Sequence, residues 1–73
     1  MAEITLKSDV TGSVWKILTK PGDQVSEDDT IMILESMKME VPLSSTDDGI
    51  VKQVLVEEGD AIAEGQPILI LEI

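Results

Sequence analysis

Slid against itself by 37 positions, this sequence lays residues 12–35 on residues 49–72 without a gap, and ten of the 24 pairs are identical. The identities include Gly12/Gly49, Val14/Val51, Leu18/Leu55, Gly22/Gly59, Asp23/Asp60 and Glu27/Glu64, and both copies end Ile-Leu-Glu, at Glu35 and Glu72. Chance does not produce such a match. Two copies are too few for a solenoid, so the duplication predicts one domain with a pseudo-two-fold axis, spanning residues 1–73.

Within each copy the pattern is strand, turn, short strand, turn, strand. Residues 13–18 and 50–56 are rich in β-branched side chains and bounded by glycine, which suits a pleated strand. Pro21-Gly22-Asp23 and Glu58-Gly59-Asp60 are turn chemistry, and Val25 and Ile62 each stand three residues beyond the turn glycine as single apolar anchors. Residues 30–34 and 68–73 are short apolar runs with the look of buried strands, and residues 4–6 make a plausible first strand. Residues 44–49 link the halves. A helix over residues 31–43 is the competing reading, since Glu, Met, Lys and Leu favour helices. Pro42, Ile31, Ile33, Val41 and the repeat itself weigh against it. The fold class is therefore all-β: two halves, each with one apolar face, buried face to face as a small sandwich or flattened barrel.

Composition then narrows the chemistry. There is no cysteine and no histidine, so thiolate metal sites, disulfides and the commonest general base are all absent. Fifteen acids against five lysines leave a formal charge of −10, which argues against nucleic-acid and anionic-membrane partners. The acidic pairs Asp28-Asp29, Asp47-Asp48 and Glu57-Glu58 lack the ligand spacing of a calcium loop and read as solvated turns. No apolar run reaches membrane-span length and no leader-like pattern opens the chain, so a cytoplasmic location is the expectation. Trp15, the single tryptophan, falls opposite Lys52 in the repeat, which places it on an exposed face.

Between the copies lies Glu35-Ser36-Met37-Lys38-Met39-Glu40. If the flanking runs are two strands of a hairpin, the loop is only Met37-Lys38. Two-residue hairpin loops want φ > 0 and recruit Asn or Gly, so Met and Lys there are a local misfit of the kind kept for function. A lone lysine between acids is most often a solvated surface charge, and alternate methionines are more often core filler. At a tight turn, however, core filling is hard to arrange for both Met37 and Met39. Lys38 is then a candidate for covalent loading: an amine on a stiff base that can form an amide with an activated carboxylate. An ordinary lysine amine is almost wholly protonated at neutral pH, and the chain offers no base, so another enzyme must supply one. The protein reads as a carrier and not as an enzyme, with no catalytic and no metal residues of its own.

These residues match a family. Glu35-Ser36-Met37-Lys38-Met39 resembles the biotin attachment signature of biotinyl domains, and Gly22-Asp23-x-Val25 with Gly59-Asp60-x-Ile62 resemble that family's two Gly-Asp turns. The likeness covers essentially the whole chain and is nearest to the small bacterial biotin/lipoyl attachment proteins and to biotin carboxyl carrier domains. It implies a barrel-sandwich hybrid of two four-stranded antiparallel sheets. It also implies biotin joined covalently to Lys38 by a biotin protein ligase, from biotinyl-adenylate. Glu35, Ser36, Met37, Met39 and Glu40 are then the residues read by ligase and carboxylase. The biotin arm in that family shuttles a carboxyl group between biotin carboxylase and carboxyltransferase sites, and a monomeric carrier suffices. Lipoate on Lys38 is the alternative cargo, although lipoyl domains have Asp before the lysine and a small residue after it; an unmodified interaction module is the alternative of another class. Asp28, standing where the second copy has Gly65, departs from the family pattern and predicts a locally different turn. The stretch 7–11 lacks the proline-rich approach common in the family.

Overall fold

The computed structural model describes residues 2–73; Met1, the first residue of the expected domain span, lies outside them. All regular structure is strand: β1 (Glu3–Lys7), β2 (Gly12–Ile17), β3 (Gln24–Val25), β4 (Thr30–Ser36), β5 (Met39–Ser44), β6 (Gly49–Val54), β7 (Ala61–Ile62) and β8 (Pro67–Glu72). They form two four-stranded antiparallel sheets, ordered β1-β8-β6-β3 and β5-β4-β2-β7. This is the all-β barrel-sandwich architecture expected, and the helix over residues 31–43 does not occur.

A shift of 37 residues carries one sheet onto the other, irregularities included. The bulge between Val14 and Lys16 on β2 reappears between Val51 and Gln53 on β6. Beside each bulge the valine's N–H and C=O bond to a Gly-Asp turn of the opposite half. Val14 receives from Gly59 N at 2.7 Å and donates to Asp60 O at 2.9 Å; Val51 receives from Gly22 N and donates to Asp23 O, both at 2.8 Å. The Asp23 and Asp60 carboxylates close their own turns by accepting from Lys20 N and Glu57 N.

Those turns also correct one expectation. The two halves do not form one layer each. After each Gly-Asp turn the chain crosses to the other sheet, where β3 pairs with β6 and β7 pairs with β2. The halves are interlocked by exchange of the two-residue strands β3 and β7 and by β1, which edges the sheet of β8 and β6. Val25 and Ile62, the anchors read from the sequence, are buried by that exchange.

The core is six symmetric pairs, Leu6/Leu43, Val14/Val51, Val25/Ile62, Ile31/Ile68, Met32/Leu69 and Leu34/Leu71, with Val56 beside them, all buried. With no Phe or Tyr, close packing of these branched side chains is the main stabilising term.

The repeat also runs further than the sequence comparison showed. Ser8 and Ser45, 37 apart and both buried, each use the hydroxyl to donate to a carbonyl two residues on, Val10 O and Asp47 O, at 2.6 Å. Around them Gly65 N donates to Ser8 O at 2.8 Å and Asp28 N to Ser45 O at 2.9 Å. Asp28 therefore makes the same turn as Gly65, with φ of 73° against 85°. The local difference predicted there is absent: the turn geometry is imposed by the serine it grips, and aspartate tolerates the left-handed region better than most side chains.

Candidate functional site

β4 is an interior strand, paired with β2 on one side and β5 on the other, and its Ile31, Met32 and Leu34 are buried in the core. β5 is fastened by buried Leu43 and half-buried Val41. The hairpin they make closes at the Ser36–Met39 pair, leaving Met37-Lys38 as its loop. Both loop residues are left-handed, Met37 at φ 52° and Lys38 at φ 65°, the pattern of a type I′ turn. The strain expected from the sequence is thus present, in two consecutive residues that carry a Cβ.

Met37 is 92% exposed and Met39 67%, so neither methionine fills the core. Lys38, Glu35 and Glu40 are exposed as well. Ser36 is half-buried, and its hydroxyl donates to Thr11 O at 2.9 Å, fastening the hairpin to the segment that opens β2. That contact gives Ser36 a positioning role that the sequence did not show. Glu64 N donates to Thr11 Oγ1 at 3.2 Å, so the second half braces the same segment. Among the described residues the one ion pair is Lys52 with Glu3, and Lys38 is held by no carboxylate.

The hairpin lies at one end of an elongated body 36 × 18 × 16 Å across. β2 starts beside Ser36, and the turn beyond its far end bonds to Val51, near the close of β8. There Ala2 and Ile73 bond to each other at 3.2 and 2.8 Å. Lys38 and the two described chain ends are therefore at opposite poles, as the two-fold axis requires.

Among the described residues no group of three or more acids is placed to hold a metal ion, and no helix is long and apolar enough to cross a membrane. Acidic pairs serve the fold instead. Asp29, Asp48 and Glu58 accept backbone bonds from Ser26, Glu27 and Ile17 at 2.9, 2.7 and 3.0 Å.

Fold and site together define a β domain of the attachment type: two interlocked sheets presenting one amine on a strained hairpin. The sequence model of the biotin/lipoyl family, described as "Biotin-requiring enzyme", matches residues 4–71, and the chain belongs to that family. It is 45% identical over 42 residues to "Biotinylated protein TB7.3 homolog" of Mycolicibacterium smegmatis, 58% of each chain. It is 44% identical over 39 residues to "Biotin/lipoyl attachment protein" of Bacillus subtilis, 53% of each. The matched stretch thus spans little more than half the length of these relatives. Among solved structures, the Kluyveromyces lactis urea carboxylase superposes with a TM-score of 0.92 at 30% identity, covering 99% of this chain and 6% of that one.

Proposed function

We propose that this domain is a biotin carboxyl carrier and that Lys38 holds the biotin in amide linkage. The observation that carries the reading is the free, outward amine of Lys38 at the left-handed turn between two exposed methionines. Relatives named as biotinylated proteins, and the match to a piece of a urea carboxylase, support it.

The chain's own residues do three things in this role. The interior strand β4 and the Ser36 bond to Thr11 fix where the amine stands. The forced φ > 0 at Met37 and Lys38 projects both side chains from the end of the hairpin. Met37 and Met39 offer polarizable, adaptable apolar contacts on either side of the amine for an enzyme that must recognise it. A biotin protein ligase supplies the base that removes the ammonium proton. The Lys38 nitrogen then forms the amide bond with the activated carboxyl carbon, and the acyl–phosphate bond breaks with AMP leaving. Biotin, once bound, supplies a ring nitrogen able to carry a carboxyl group between a biotin carboxylase and a carboxyltransferase centre.

Lipoate is less well supported, because Met37 precedes and Met39 follows the lysine. Incubation with a biotin protein ligase, biotin and ATP, followed by intact-mass measurement, tests the reading. One biotin increment in the wild type and none in Lys38→Ala is expected. A lipoyl increment under a lipoate ligase, or no increment under either, would overturn it.

A further inference from the structure

The two-fold symmetry is broken in one chemically pointed place. On the outer face of the sheet β1-β8-β6-β3, Glu3, Glu72 and Ile50 stand abreast. Lys52, on the β6 bulge, reaches back across β8 to pair with Glu3, and Glu72 adds to the field on its ammonium. On the sheet β5-β4-β2-β7 the equivalent row is Glu40, Glu35 and Ser13. Both carboxylates are kept. The position equivalent to Lys52 is Trp15, 49% exposed. Lys16, one row further from the turn, makes no ion pair with either carboxylate among the described residues.

A face that pairs one of its two acids internally in one copy therefore leaves both open in the other, and sets an exposed indole where the cation stood. Those are complementary halves of a receptor for a cationic side chain: a guanidinium can stack on an indole while a neighbouring carboxylate accepts its N–H groups. Exposed tryptophans are also the residues most enriched among binding hot spots. The face begins one pair below the Ser36–Met39 closure, on the flank of the Lys38 hairpin.

We propose that the Trp15–Glu40 face docks an arginine- or lysine-bearing segment of the enzyme that loads Lys38. This rests on the carrier reading of Lys38. The loading enzyme is the partner that fits, because it must bring its activated carboxyl group to the lysine nitrogen itself, pressing its surface on the hairpin's flanks. Enzymes that act later meet the far end of a long arm.

Steady-state loading of the intact chain by a biotin protein ligase, across a range of NaCl concentrations, tests this. Trp15→Lys rebuilds the pair seen in the other sheet and is expected to lower kcat/KM about tenfold, chiefly through KM, and to flatten its salt dependence. Glu40→Gln should lower it about threefold with the same flattening, and gives an answer should Trp15→Lys unfold. Lys52→Ala, on the opposite sheet, should load as wild type. Wild-type loading in Trp15→Lys and Glu40→Gln, with unchanged salt slopes, overturns the docking face and leaves the carrier reading standing. So does a defect confined to carboxyl transfer with loading intact. No loading of the wild type on Lys38 overturns both.

Discussion

Replacing Gly12 by alanine tests the backbone packing on which the hairpin rests. A Cβ built on Gly12 would lie 2.1 Å from Glu35 O, against about 3.4 Å for ordinary contact, so β2 must draw back from β4 by about 1.3 Å, the difference of the two. The obstacle is backbone of an interior strand, which has nowhere to move. A retreat of that size breaks one or two ladder hydrogen bonds near 2.9 Å, at about 1 kcal/mol each, on top of about 1–3 kcal/mol for overpacking. The expected cost is about 2–5 kcal/mol, comparable to the roughly 3–5 kcal/mol available to a core of this size. The equivalent Gly49→Ala meets Glu72 O at 2.4 Å and the Ile73 side chain at 3.0 Å. Its obstacle is the end of β8, an interior strand like β4, but the retreat needed is smaller, about 1.0 Å, so a smaller cost of about 1–3 kcal/mol is expected there. Urea unfolding followed by Trp15 fluorescence measures both. Gly12→Ala costing under about 0.5 kcal/mol, or less than Gly49→Ala, would refute the reasoning.

Two more predictions follow from the geometry. Met37→Asn relieves one left-handed methionine and should stabilise the domain by about 0.5–1 kcal/mol, while slowing loading of Lys38; urea unfolding and intact-mass time courses read the two effects. The hydrogen bond from Lys52 to Glu3, with the charge of Glu3, holds the Lys52 ammonium above its ordinary 10.5. A raised lysine contributes stability that is complete below the unfolded value and is lost as pH rises through the folded one. Wild type should thus lose stability above about pH 10.5 more steeply than Lys52→Met, as thermal melts from pH 8 to 12 would show; parallel curves would contradict it.

The hairpin was legible because loop length and turn chemistry are local: a two-residue loop must take φ > 0 whatever occupies it, and Met37-Lys38 does. Trp15 was placed on an exposed face by its repeat partner Lys52, and the exposure bears this out. The interlocking of the halves was not legible. Gly22-Asp23 and Gly59-Asp60 announce that the chain turns, but which sheet receives the next strand depends on the carbonyl and N–H of a bulged valine in the other half. Ser8 and Ser45 escaped notice for a related reason. Each is one polar residue in a polar stretch, and only burial and a shared hydrogen-bond pattern mark them as partners. At Asp28 a rule about side chains misled, because the backbone contact to Ser45 sets the conformation.

The bonding of Ala2 to Ile73 at the pole away from Lys38 has a consequence for assembly. A module whose incoming and outgoing chains share one doorway can hang from a larger polypeptide like a lamp from its cord. Any chain joined at that doorway departs on the side away from Lys38, so the hairpin stays uncovered.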